Sequence, residues 1–390
     1  MRQTRFAVFV GAIAALAAVP SAQAQAKVAL GKPDVESAES FTQVSGIREL
    51  PSGKVLVVDR SDKVVQLVDL GSGTMTKVGR EGQGPGEYGL PIALFGLPNG
   101  DALLFDIAGR RFLTIGVEGK PGAILEMPRP PAAQAAGGQI VTFGLTVPRG
   151  IDSQGRIYFE GSPFTPTGAT ADSVPIMRWD RVKPVFDTVG YITVPKGSAV
   201  SSGSGGRVSV QIGGGKVWTP SETWDVAGDG RVARLFPSPY RVIWLGSGKA
   251  VAGPVQPYSP IKVTQADKDL YAENLKKQKP ITMRIGAGGG GAGGGGGNFT
   301  PPPPEFEETM PPFTGRGSVV ATLDGEVWVL RTRPAGDKVP TYDVFDKTGT
   351  LVKKVSLNPG SRVVGFGKGT VYVARIDDDD LQWLQRYKRP

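Results

Sequence analysis

The sequence predicts an all-β protein assembled from six copies of one antiparallel unit. The first observation is a two-residue turn ending in glycine, which occurs six times and is followed each time by an apolar strand. The second is a further turn downstream of most copies. The third is the high content of glycine (56) and proline (33) in 390 residues, as expected for short strands joined by many turns. The first turns are Ser52-Gly53, Asn99-Gly100, Gln154-Gly155, Asp229-Gly230, Asp324-Gly325 and Lys368-Gly369.

Each copy is interpreted as strand, hairpin, strand, loop, strand, hairpin, strand. A four-stranded antiparallel unit repeated roughly every 40–50 residues is typical of a β-propeller. We place the blades at about 43–80, 90–127, 147–193, 222–255, 316–357 and 361–388. The last blade has room for only three strands, so a segment near the N-terminus, residues 27–32, is expected to supply its fourth strand and remove an open sheet edge. The prediction is one six-bladed β-propeller over residues 27–390.

The N-terminus has the pattern of a signal peptide over residues 1–24. Arg2 and Arg5 precede an apolar run over residues 6–19, and small residues suited to cleavage follow. This run is too short to span a bilayer comfortably, and no later stretch is apolar enough for a transmembrane segment. The mature protein is therefore expected to be periplasmic or secreted; an uncleaved N-terminal anchor is the alternative.

The composition excludes several kinds of chemistry. The chain contains no cysteine and no histidine, which removes Ser-His-Asp triads, imidazole bases and thiolate or imidazole zinc sites. Any metal would be a hard cation bound by oxygen atoms. The net charge of +9 favours anionic partners outside the cytoplasm, such as lipids, glycans or wall polymers, although it also fits a simple requirement for solubility.

Two segments rich in glycine and proline interrupt the repeats, at about 195–217 and 257–312. The second begins with a predicted helix over residues 264–278, with Thr264 as N-cap, followed by a glycine tract at 286–297 and prolines at 301–304. Both segments connect the outer strand of one blade to the inner strand of the next. Such connections share a face with the loops between second and third strands, called the top face below. We expect flexible insertions there, over the mouth of the central channel.

Candidate ligand-binding residues lie where the second strands end and in nearby top-face loops. Acidic and basic side chains that converge on a channel mouth can bind an anionic or hydroxylated ligand. The alternative is that they tie neighbouring blades together. The candidates are Arg60, Arg80, Glu87, Asp106, Arg110, Glu160, Glu222, Trp224, Arg331 and Arg375. Among the tryptophans, Trp218 and Trp224 flank an insertion and are the candidates for ligand stacking.

Two further stretches have weaker patterns. The glycine-rich loop 79–89 suggests phosphate binding, but no helix follows it, so a connector between blades explains it better. The acidic run 377–380 offers Asp377 and Asp379 as calcium ligands. It lacks the spacing of an EF-hand loop, and a solvated or arginine-paired loop is the alternative.

The region from the glycine-rich loop 79–89 through the turn Pro98-Asn99-Gly100 to Asp106 and the pair Arg110-Arg111 resembles one NHL repeat. The chain as a whole is similar to secreted bacterial six-bladed propellers of NHL type. Relatives of this architecture include binding scaffolds, calcium-dependent lactonases, and amidating and streptogramin lyases. The lyases rely on histidines, which this chain lacks. The lactonase type uses Glu, Asn and Asp around calcium.

The function expected from these features is binding without catalysis or cofactor. The partner would be a protein, a glycan or a small anionic ligand at the channel mouth, and the protein would be a monomer. The alternative is a calcium-dependent, lactonase-like hydrolase with Glu87, Asp106, Glu160 and Glu222 as carboxylates. RNA binding, found in some NHL propellers, is disfavoured by the export signal.

Overall fold

The computed structural model describes residues 25–128, 147–162, 171–195, 215–246, 248–277 and 303–390, with short segments within 133–141 and 199–212. The predicted signal peptide and the glycine tract at 286–297 lie outside the described residues. Of the helices in these ranges, none combines the length and apolarity needed to cross a bilayer.

Six antiparallel sheets form the blades of a propeller, which confirms the predicted architecture. The strands of blades one to three, from inner to outer, are Val44–Glu49, Val55–Asp59, Val64–Asp69, Thr74–Lys77; Pro91–Gly96, Ala102–Asp106, Arg111–Ile115, Pro121–Glu126; Gly150–Ile151, Ile157–Glu160, Ser173–Asp180, Val185–Thr193. Those of blades four to six are Thr223–Val226, Val232–Pro237, Tyr240–Leu245, Val251–Ala252; Val319–Ala321, Val327–Leu330, Thr341–Phe345, Leu351–Ser356; Ser361–Phe366, Thr370–Ile376, Gln382–Lys388. The last blade takes its outer strand from Val35–Glu36.

Apolar residues between neighbouring blades form the core. The second strands Val55–Asp59 and Ala102–Asp106 are buried along their whole length, because both faces of a blade pack against other blades. Such strands show a continuous apolar run rather than alternation. Leu56 and Val58 of blade one, for example, pack with Leu104 of blade two in one cluster. Burial of this apolar surface is the main stabilising term of the ring.

Buried tyrosine hydroxyls join successive blades around much of the ring. Tyr158 donates to the carbonyl of Gly230 at 2.9 Å, and Tyr240 donates to Asp343 Oδ2 at 2.9 Å. The hydroxyl of Tyr342 accepts the Val363 N–H at 3.0 Å. Each hydroxyl thereby satisfies a polar group that packing between blades would otherwise leave unpaired.

The ring is closed by an N-terminal strand, as predicted, but the predicted segment was wrong. The closing strand is Val35–Glu36, antiparallel to Gln382–Lys388. Ala26–Ala29, which overlaps the predicted 27–32, instead runs parallel to the outer strand of blade five. Leu30 packs in the core between blades five and six, and Val35 in the core between blades six and one. One short segment therefore serves two blades.

The single helix of the described residues, Gln265–Lys277, agrees with the prediction; Gln278 lies outside the described residues. Its start is a capping box in which Thr264 N–H and Oγ1 donate to Asp267 Oδ2, and Asp267 N–H donates back to Thr264 Oγ1. Ile261–Lys262 pairs with Thr309–Met310 and brings the two ends of the insertion together.

Candidate functional site

A groove of about 520 Å³ opens on the top face between the helix and blade five. Asp267, Leu270, Tyr271 and Asn274 line one wall, with the spacing of a single helix face. The loop between the second and third strands of blade five forms the opposite wall. Its lining residues include Arg331, Thr332, Arg333, Pro334, Ala335, Asp337 and Lys338. The volume lies in the range of about 300–1,000 Å³ typical of small-molecule sites.

The helix is attached to the propeller at a few points. The carboxylate of Asp267, only 3% exposed, accepts the Ala335 N–H at 2.6 Å. At the other end of the helix, Lys277 pairs with Asp380 of blade six at 3.3 Å. Most other helix residues are exposed. The helix thus bridges two blades and leaves the groove beneath it open.

Three aromatic rings pack together at the groove, and two of them, Trp218 and Tyr271, line it. Trp218 lies 6.1 Å from Tyr271 and 5.4 Å from Phe306 between ring centroids, and Tyr271 lies 5.6 Å from Phe306. Trp218 has a left-handed backbone, φ 68°, which is strained for a bulky residue and is held by this packing. A residue that flanks the first predicted insertion therefore meets two residues of the second at this site.

Cationic groups lie across the groove from the rings. Arg331 Nη1 pairs with Asp343 Oδ2 at 2.8 Å. Burial disfavours the Arg331 cation, but Asp343 outweighs this and raises its pKa. Arg333 donates from Nε to the carbonyl of Asp337 at 3.0 Å, and Lys338 is exposed. The groove therefore combines ring surfaces with positive charge.

The predicted residues of blades one and two stabilise loops. Arg80 pairs with Glu87 at 2.7 Å, and Glu87 also accepts the Gly84 N–H at 2.7 Å. The Gly84 and Arg80 hydrogen bonds lower the pKa of Glu87. Asp106 is fully buried and accepts the N–H groups of Gly89 and Leu90. Arg60 is half-buried, and its backbone N–H donates to the Gln43 carbonyl.

Within the arginine pair, the residue that contacts Asp106 is Arg111 and not the predicted Arg110. Arg111 is 7% exposed; its Nε lies 3.2 Å from Asp106 Oδ2, and its Nη2 donates to the Glu87 carbonyl at 3.0 Å. Arg110 is exposed, with φ 52°. Arg111 begins the third strand of blade two directly opposite Asp106, whereas Arg110 ends the turn before that strand, so only Arg111 faces Asp106.

Three predicted residues lie where blades three and four meet. Trp224 is fully buried, and its Nε1 donates to Glu160 Oε2 at 2.7 Å. Glu222 pairs with Arg234 at 2.6 Å. The prediction of ligand stacking on Trp224 was wrong, because its ring is covered by the guanidinium of Arg149, 4.9 Å from the ring centroid. Trp218, the other candidate, does line the groove.

The predicted residues of blade six lie at the end of its second strand and in the loop that follows it. Arg375 forms a two-pronged ion pair with Glu36, at 2.9 and 3.0 Å, on the closing strand. Asp377 accepts Trp383 Nε1 at 2.7 Å, and this bond lowers the pKa of Asp377. Asp379 is exposed. In the described part of the chain, no three acidic side chains converge as a metal site would require.

Sequence reasoning missed most of the groove. Leu270, Tyr271 and Asn274 show helical spacing from Asp267, which could have identified the inward face of the helix. Arg149, which lies outside the groove, directly precedes the inner strand of blade three on the top face. The candidates predicted from the sequence lie at the ends of second strands and in nearby loops, and they do not include Arg149. Arg333 and Lys338 follow Arg331 in a loop without a distinctive pattern.

No protein-family model and no curated protein matches the sequence. Similar solved structures include a calcium-binding protein, regucalcin, from Agrobacterium tumefaciens, with 10% identity and a TM-score of 0.43 over 94% of this chain and 97% of that one. A gluconolactonase from Xanthomonas campestris has 8% identity and a TM-score of 0.44 over 94% and 99%. Virginiamycin B lyase from Staphylococcus aureus has 11% identity and a TM-score of 0.41 over 90% and 97%. At these identities the likeness concerns the fold and carries no information on the ligand.

Proposed function

We propose that this protein is an exported binding propeller of NHL-like type that holds an acidic saccharide in the groove beneath the helix. The observation that carries the proposal is the pairing of aromatic rings, Trp218 and Tyr271, with the cations Arg333 and Lys338 across one groove. Rings provide flat apolar surface at a small cost in conformational entropy. Guanidinium and ammonium groups bind carboxylates. A sugar ring bearing a carboxylate presents both features to such a groove.

The state of the groove's carboxylates supports binding rather than catalysis. Asp267 and Asp337 are the acidic residues that line it. Asp267 accepts hydrogen bonds from Thr264 and Ala335, which outweigh its burial and lower its pKa. Asp337 is exposed and accepts the Val339 N–H at 3.0 Å. With its pKa lowered, Asp267 is poorly suited to act as a general base near neutrality.

Isothermal titration calorimetry with an acidic trisaccharide, trigalacturonate, tests the proposal. The reference ligand is a neutral trisaccharide of the same length. We expect heat only with trigalacturonate, and a loss of about 10-fold or more in affinity for Tyr271→Ala and for Lys338→Ala. Lys249→Ala, which changes an exposed lysine on the opposite face, serves as the matched control. Equal affinity of all variants would refute the groove as the binding site.

The alternative function is a calcium-dependent hydrolase, and its proposed ligands do not fit calcium well. Glu87, Asp106, Glu160 and Glu222 belong to four different blades or connectors, and each already accepts hydrogen bonds from a cation, an indole or the backbone. Calcium requires six to eight converging oxygen ligands. Thermal unfolding with calcium and with a chelator distinguishes the calcium-dependent hydrolase from the proposed binding function. We expect identical melting temperatures, whereas a calcium-dependent rise would favour the hydrolase.

A further inference from the structure

A second cluster of charged groups lies at the channel mouth, where blades three, four and five meet. Arg149 precedes the inner strand of blade three, and Arg316 begins a short 3-10 turn before the inner strand of blade five. Neither residue lines the groove described above. Gly315, with φ 49° and ψ −155°, turns the chain between Thr314, which does line that groove, and Arg316.

The position of Arg149 is fixed by neutral acceptors. Its side chain is 6% exposed, and its Nη2 donates to Thr223 Oγ1 at 3.0 Å and to the carbonyl of Trp224. The ion pair with Glu160 is long, at 3.9 Å, and that carboxylate already accepts the indole of Trp224. The Arg149 cation is therefore rigidly held and only partly neutralised.

The positive charge of Arg316 is compensated by its neighbours even less than that of Arg149. Its Nη2 donates to the Pro148 carbonyl at 3.0 Å, and among the described residues it forms no ion pair within 4.0 Å. Arg316 is an exposed residue, so most of the five N–H donors of its guanidinium remain open to solvent and to a ligand. Partial desolvation of the guanidinium and the like charge of Arg149 lower the pKa of Arg316 to about 10, which leaves it cationic at neutral pH.

The nearby Asp225 does not complete the pairing. Its two oxygens accept the N–H groups of Ala321, at 2.7 Å, and of Val226, at 2.9 Å. The first of these bonds joins the inner strands of blades four and five. Both oxygens are thus engaged by the backbone, and among the described residues Asp225 forms no ion pair within 4.0 Å with either arginine.

We propose that Arg149 and Arg316 form an oxyanion-binding site at the channel mouth, which accepts a carboxylate or a phosphate group. Arg316 donates paired N–H bonds from its planar fork, and Arg149 supplies a second positive charge from a fixed position. A bound oxyanion compensates two like charges that the surrounding protein partly desolvates. The site stands independently of saccharide binding in the groove.

Calorimetric titration of the full chain with inorganic phosphate and with acetate tests this site, with chloride used to hold the ionic strength constant. The groove cations Arg333 and Lys338 can also attract these anions, so the Arg316 variants, which leave the groove lining unchanged, assign the heat to this site. We expect saturable heat with at least one probe, and an affinity reduced by about 10- to 100-fold in Arg316→Gln. The affinity of Arg316→Lys should lie between those of the wild type and of Arg316→Gln, because lysine keeps the positive charge but lacks the planar guanidinium with its paired donors.

Lys249→Ala, with a lysine removed from the opposite face, should bind like the wild type. Circular dichroism and melting temperature establish that Arg316→Gln is folded; if it is not, Arg316→Lys carries the comparison. The proposal is overturned if the wild type shows no saturable heat with either probe at millimolar concentration. It is also overturned if the folded Arg316 variants bind both probes as tightly as the wild type.

Discussion

The carboxylate of Asp267 accepts the backbone N–H of Ala335 at 2.6 Å, across 68 residues of sequence. The same carboxylate caps the helix through Thr264. One buried side chain thus sets both the start of the helix and its distance from blade five. The width of the groove near the start of the helix depends on this contact.

Asp267→Ala should therefore weaken ligand binding in the groove more than it weakens the propeller. We expect a local destabilisation of the helix by about 1–2 kcal/mol from loss of the cap. Hydrogen exchange should show faster exchange in Gln265–Lys277, with the blades unchanged, because local segments open independently of the global fold. Asp269→Ala, an exposed acid on the same helix, is the control. Unchanged exchange in Asp267→Ala would contradict the assignment.

Arg111 and Arg110 should differ sharply in their contribution to stability. Arg111→Lys removes donors from buried carbonyl and carboxylate groups, for which we expect a loss of about 1.5–3 kcal/mol in the free energy of unfolding. Arg110→Lys alters an exposed side chain, and we expect a change within about 0.5 kcal/mol. Urea unfolding of both variants measures the difference. Similar midpoints for the two would show that the Asp106 contact is dispensable.

The ion pair between Asp324 and Arg389 should make stability depend on acid pH. The hydrogen bonds from Arg389 lower the pKa of Asp324 from 3.8 to about 2. A lowered carboxyl pKa stabilises the fold above the unfolded value, and this stability is lost as pH falls from about 4 towards 2. Asp324 is 57% exposed, so screening limits the effect to under about 1 kcal/mol.

Asp324→Asn and Arg389→Gln should therefore both lower the urea midpoint at pH 7 and converge with the wild type near the lowest pH at which all remain folded. Each variant removes the same pair from a different side, so their effects should be similar. A constant difference from the wild type across this pH window would mean that the pair does not titrate as described.

Gly315→Ala should destabilise the connector before blade five. The φ of 49° combined with ψ of −155° is a region that residues with a Cβ avoid, at a cost of roughly 1–3 kcal/mol. An added Cβ meets no atom within 4 Å, so any loss reflects backbone strain alone. Gly317→Ala, also without steric contact and without a left-handed φ, is the matched control. Equal thermal stability of the two variants would argue against this strain.

Local sequence signals predicted the ring well, because its strands and turns are local structures. The turn glycines Gly53, Gly100, Gly155, Gly230, Gly325 and Gly369 all have positive φ, between 71° and 92°. The apolar runs that follow them became the buried second strands. Thr264 likewise identified the start of the helix, since a capping box involves residues only three positions apart.

The candidate site was predicted less well, because its residues meet through contacts between distant parts of the chain. Trp218 and Trp224 lie six residues apart, yet one lines the groove and the other is buried beneath Arg149. No periodicity distinguishes them. Their difference depends on which blade or insertion packs above each ring.

The sequence by itself determined the number of blades, their boundaries and the need for an N-terminal closing strand, because turn chemistry and apolar runs act over a few residues. Only the tertiary structure decided that Val35–Glu36 closes the ring, that Arg111 and not Arg110 pairs with Asp106, and that Asp267 suspends a helix above blade five. These outcomes depend on which surfaces come together once the ring has formed, and burial and hydrogen bonding across long sequence separations select among side chains that look equivalent in the chain.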